Sequence, residues 1–138
     1  MFFNIFKRKK KEINKSAKFS KEDLQWNKMW ELWADEKIES PYYELMDYLS
    51  GINGGGHHCH FDNTFDNSNL KEYVINLKEI LPEPLKTNIE AAYAAYITNP
   101  NDVSEKDCEI LSKCDDVYYE NEELVNQILK ERAKRIKL

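Results

Sequence analysis

Residues 51 to 63 gather the side chains best suited to chemistry: Gly-Ile-Asn-Gly-Gly-Gly-His-His-Cys-His-Phe-Asp-Asn holds all four glycines, all three histidines and one of the three cysteines. Neutral imidazole and thiolate are zinc ligands, so His57, His58, Cys59 and His60 make a metal site the first candidate. The spacing works against it. Successive residues on a helix point about 100° apart, so of the four only a pair such as His57 and His60 reaches one ion, with Asp62, Asp66 or a distant carboxylate left to complete the set. No HExxH-type partner exists in the chain. His57 and His60 therefore stand as weak metal candidates, and no metal or other cofactor is expected. A nucleophilic Cys59 needs a base facing it and a group orienting that base, and sequence neighbours on a helix do not face one another. A small metal- or thiol-dependent enzyme built on His57, Cys59 and His60 is thus the alternative reading. The triple glycine lacks the lysine and hydroxyl of a phosphate loop. A bare helix N-terminus there suits an anion, while a tight loop letting one helix cross closely over another asks only for missing Cβ atoms.

The elements around this stretch read as helices. Ser20 with Asp23, and Phe19 with Leu24, form a capping box and a staple, opening a helix expected to run to about Glu39. Trp26, Met29, Trp30 and Trp33 lie at i, i+3, i+4 and i+7, a spacing that predicts core packing ahead of a stacking platform for nucleobases. Ser40-Pro41 starts a second helix through Tyr42, Leu45, Met46 and Leu49, which Ser50-Gly51 is expected to stop with a C-cap glycine. A third spans about His57 to Phe65. A fourth runs from Ser68 or Asn69 to Pro82, and a fifth from Pro84 to Asn99, with alanines at 91, 92, 94 and 95 permitting close approach. A sixth opens at Ser104 with Asp107 and breaks near Cys114-Asp115-Asp116, before a last helix bearing Leu124, Val125, Ile128 and Leu129. No strand alternation and no solenoid repeat appears. The expected fold is all-α, a single compact bundle of about six or seven helices over 19–138.

Charge is segregated. The chain carries a net -5 at pH 7, with +6 over residues 1–18, +4 over 130–138 and -15 between them. Residues 1–18 read as a basic, disordered tail; the alternative for Met1 to Phe6 is peripheral contact with an anionic membrane. An acidic body repels nucleic acid and attracts basic partners. The densest run holds Asp102, Glu105, Asp107, Glu109, Asp115, Asp116, Glu120, Glu122 and Glu123 against Lys106 and Lys113. Such a run is most often a solvated face; as a docking surface it would imitate rows of DNA phosphates. An odd cysteine count, no apolar run of membrane-spanning length and no signal-peptide core predict a reduced, cytoplasmic protein.

The stretch Tyr43-Glu44-Leu45-Met46-Asp47-Tyr48-Leu49-Ser50-Gly51-Ile52-Asn53-Gly54-Gly55-Gly56-His57-His58-Cys59-His60-Phe61-Asp62-Asn63 resembles the signature of a bacterial domain family of largely unassigned function that includes a DNA-mimic protein. That signature is a helix, then Asn-Gly-Gly-aromatic, a polar residue, Gln, an aromatic, Phe, any residue and Asn. Asn53 or Gly54 with Gly55 and Gly56, then His57, Phe61 and Asn63, match it. Cys59 stands where Gln is usual and His60 where Tyr or Phe is usual, and Asp116-Val117-Tyr118-Tyr119 is also family-like. The resemblance covers about residues 20–130, with the central motif its specific part. It implies an all-helical, dimeric, non-enzymatic protein that binds a basic DNA-binding or regulatory protein through its acidic surface. It also recasts Asn53 to His57, with Phe61 and Asn63, as a structural junction rather than an active site.

Overall fold

The structure, a computed structural model, describes residues 19–67 and 69–138. The basic tail, with its membrane-contact alternative, lies outside the described residues. Among those described there are five helices and no strand: α1 (Lys21–Ala34), α2 (Tyr42–Asn67), α3 (Leu70–Ile80), α4 (Leu85–Ile97) and α5 (Glu105–Ala133). The fold is therefore all-α, with five helices among the described residues against the six or seven expected over 19–138. Two local readings account for the difference. Gly51 does not stop a helix; the backbone stays helical up to a kink at Gly55 and Gly56, and the helix expected from His57 follows that kink as the second arm of one element, α2. Nor does the carboxylate pair at Asp115-Asp116 interrupt α5, which runs unbroken for 29 residues. No described helix is long and apolar enough to cross a membrane.

The described residues divide into two compact units, 19–38 with Gln127–Leu138, and Glu39–Asn126. In the first, Ser20 and Asp23 form the capping box of α1. Met29 and Trp30 are buried while Trp26 and Trp33 are only half-buried, so the core takes the inner half of the tryptophan stripe. The indole rings of Trp26, Trp30 and Trp33 meet edge to face. α1 ends at Ala34, before the expected Glu39, in a Schellman turn: Lys37 N donates to Leu32 O at 2.8 Å and Glu36 N to Trp33 O at 3.0 Å. Glu36 holds the left-handed position at φ 59°, where glycine is usual. Buried Gln25 donates to the carbonyls of Lys134 and Ile136, satisfying the end of α5.

In the second unit α2, α3 and α4 pack on one another. Leu45, Met46, Leu49 and Ile52 of α2, Leu77 of α3 and Leu85, Ile89 and Ala92 of α4 form its apolar core. Of the alanines that permit close approach, Ala92 and Ala95 face inward, while Ala91 and Ala94 are exposed. Along α5, Leu111, Cys114, Tyr118 and Val125 are buried, at spacings of three, four and seven that keep them on one side. Asn69 caps α3 by accepting from Glu72 N.

Candidate functional site

A helix broken in its middle strands donors and acceptors. The arm before the break loses partners for its last carbonyls, and the arm after it loses acceptors for its first N–H groups. At Gly56 φ is +83°, a conformation in which an L side chain is strained. A Cβ on Gly56 would also collide with the carboxylate of Asp115. Gly54, by contrast, has open space where its Cβ would be.

One face of α5 repairs the break. Asp115 Oδ1 accepts from the backbone N of His57 at 2.8 Å and from the ring Nδ1 of the same residue at 2.6 Å. The carboxylate thereby caps the second arm, and the anion that a glycine-rich helix N-terminus attracts is supplied from within the chain. Tyr119 donates its hydroxyl to the carbonyl of Ile52 at 2.8 Å, replacing a backbone donor lost at the break. Glu122 accepts from Asn53 Nδ2 at 2.7 Å, and the same amide donates to Leu49 O. Tyr118, wholly buried, packs its ring edge on Tyr48 and His57. Burial, and then the nearby Glu122, raises the pKa of its phenol. Residues 115, 118, 119 and 122 are spaced i, i+3, i+4 and i+7, which places all four on the same side of α5.

The two inward histidines are consumed in opposite tautomers. An ionised Asp115 only accepts, so His57 carries its proton on Nδ1, and Nε2 takes the hydroxyl of Tyr48 at 2.5 Å. Asp115, His57 and Tyr48 thus form a relay with the outline of a hydrolytic triad. Its last member cannot attack anything: Tyr48 and His57 are both 0 % exposed, and burial, then Cys114 and Asp115, pushes the phenol well above its ordinary value. His60 is arranged the other way. Tyr73 gives its proton to Asp47 at 2.9 Å, so its oxygen accepts from His60 Nε2 at 2.8 Å. Burial, followed by the nearby Asp47, holds the Tyr73 phenol protonated, and burial lowers the His60 pKa against the opposing pull of Asp47.

The remaining chemically able groups are dispersed. His58 lies at the surface beside Asp62 and against the ring of Tyr96, and Cys59 is exposed. Cys114 is buried, its thiol pushed up to about 11 by burial and by Asp115. Among the described residues no group of three or more His, Cys, Asp or Glu is placed to hold a metal ion. His57 and His60, the weak metal candidates, have their rings turned to Tyr48 with Asp115 and to Tyr73 respectively. Of the motif residues, Gly56, His57 and Phe61 are buried, whereas Asn53, Gly54, Gly55 and Asn63 are at the surface.

The acidic run also divides. Asp115 and Glu122 are half-buried and bonded to the break, and Asp107 pairs with Ser104 at the start of α5. Asp102, Glu105, Glu109, Asp116, Glu120 and Glu123 are exposed. The last five fall within about 60° of one another around α5 and extend for about 27 Å along it. Sequence reasoning missed the inward roles of Asp115, Tyr119 and Glu122, because a helix broken at 114–116 hides their common face. Comparison with protein-family models, with curated proteins and with solved structures returned no match.

Proposed function

We propose that this chain works by binding, presenting the exposed carboxylates of α5 to a basic DNA-binding or regulatory protein in the cytoplasm. The observation that carries the reading is the division of α5. Its inward face spends Asp115, Tyr118, Tyr119 and Glu122 on the helix break, while Glu105, Glu109, Asp116, Glu120 and Glu123 face solvent. His57 and His60, on which the enzyme reading rests, are tied to tyrosines and a carboxylate inside the fold. The likeness of the 53–63 motif to a family with a DNA-mimic member points the same way.

Magnitudes set the kind of mimicry. Five carboxylates over about 27 Å give one charge per ~7 Å, against one per 3.4 Å along a strand of duplex DNA. The stripe imitates a sparse row of phosphates, so the contact is driven by charge and weakens with salt. Immobilised full-length protein is expected to retain basic proteins from cell extract at low salt, to release them at high salt, and to lose them to added duplex DNA. Retention of no basic protein at low salt would overturn the reading; retention that DNA does not compete would remove the mimicry and leave the acidic docking face.

A further inference from the structure

We propose that the exposed ring of Tyr119, with the carboxylates of Asp116 and Glu123 on either side of it, is an anchor for an arginine side chain of the basic partner. This rests on the acidic-face reading and names the residue type that the face selects. Tyr119 serves both sides of α5. Its hydroxyl is spent inward on the carbonyl of Ile52, and its ring meets that of Tyr118 edge to face at 5.7 Å, yet the residue is 48 % exposed. A side chain fixed at its tip and left open along its ring offers a flat surface at little further cost in conformational entropy.

The surroundings decide what that surface takes. Asp116 stands three residues before Tyr119 and Glu123 four after it, the spacings at which helix side chains are neighbours, and both are exposed. Side chains on a helix lean towards its N-terminus, so Glu123 reaches back over the turn that carries the ring. The hydroxyl lies in a negative field: burial, then Asp115, Glu122 and Asp116, raises its pKa. Nucleobases also stack on exposed tyrosines, but these carboxylates repel the phosphates that accompany them. A cation is attracted by the ring face and by the carboxylates together. The two elements that hold the ring supply none of their own. α5 has no Lys or Arg between Lys113 and Lys130, and residues 42–56 of α2, the arm that carries Ile52, have none at all. Of the two basic side chains, arginine fits better. Its planar guanidinium lies flat on a ring while its edge donates to carboxylates, whereas a lysine ammonium is a compact, more strongly hydrated point charge.

A pair of alanine-based peptides, one carrying arginines and its twin lysines at the same positions, tests the anchor when titrated into the full-length protein at about 50 mM salt. The wild type is expected to bind the arginine peptide about two- to fivefold more tightly. Tyr119→Phe and Tyr119→Leu both lose the hydroxyl bond to Ile52, so that loss cancels between them. The first is expected to keep the preference and the second to lose it, whereas a preference owed to the carboxylates alone would survive both. Binding of neither peptide would overturn the acidic-face reading and the anchor with it. Equal binding of the two peptides by the wild type, or an equal effect of the two substitutions, would overturn the anchor and leave the acidic face. Should either variant fail to fold, the Tyr119 ring resonances of the wild type decide: movement with the arginine peptide alone supports the anchor, and any other pattern overturns it.

Discussion

Asp115 and Asp116 are neighbours with opposite tasks. Asp115 accepts both the backbone and ring N–H of His57, whereas Asp116 faces solvent. Asp115→Ala strands two buried donors and is expected to cost about 3 kcal/mol, while Asp116→Ala should change stability by less than about 0.5 kcal/mol. Urea denaturation of the two variants measures the difference, and equal midpoints would contradict the capping role. The glycines divide in the same way. Gly56→Ala meets a positive φ and the Asp115 carboxylate, and should lose about 2 to 4 kcal/mol. Gly54→Ala, in helical backbone with open space around it, should gain about 0.5 to 1 kcal/mol. A thermal melt in which Gly54→Ala is the more damaging of the two would refute this account of the break. The triple glycine announced a junction, but its sequence does not say which glycine bends the chain. Gly51 looked like a C-cap because Ser50-Gly51 is a familiar stop. Its missing Cβ instead makes room for the ring of His60, a packing need set nine residues later and invisible to local rules.

Among the elements, α1 and α5 show where helix-end rules work and where they fail. Ser20 with Asp23, Asn69 as one of two candidates with Ser68, and Ser104 with Asp107 were readable as starts because an N-cap is decided within four residues. The end of α1 was misplaced by five residues, since Glu36 gives no sign of the left-handed turn it adopts. Glu36→Gly should relieve that turn and raise stability by about 0.5 to 1 kcal/mol, a gain readable as a higher midpoint in urea. A lower midpoint would mean that the Glu36 side chain contributes more than its backbone costs. The supposed break in α5 came from the low helix propensity of two adjacent aspartates. Tertiary bonds offset it: the same Asp115 that weakens the helix locally ties it to α2. Its partners at i+3, i+4 and i+7, Tyr118, Tyr119 and Glu122, form a pattern that was present in the sequence once the helix is allowed to continue.

For the molecule as a whole, the net charge of -5 arises from basic ends around a body of -15. The all-helical class was legible from periodicity alone, because every long apolar pattern in the chain repeats at three to four residues. Which carboxylates serve the fold and which face solvent was not, since exposure depends on how α5 meets the two arms of α2. The central claim is that the inward face of α5 builds the fold and the outward face does the work. Its most direct test compares immobilised wild-type protein with a variant carrying Glu105→Gln, Glu109→Gln, Asp116→Asn, Glu120→Gln and Glu123→Gln together, by capture of basic proteins from cell extract at about 50 mM salt, where charge screening is weak. The expected result is a variant that still melts cooperatively but no longer captures the protein; capture of the same protein in equal amount by both would contradict the claim.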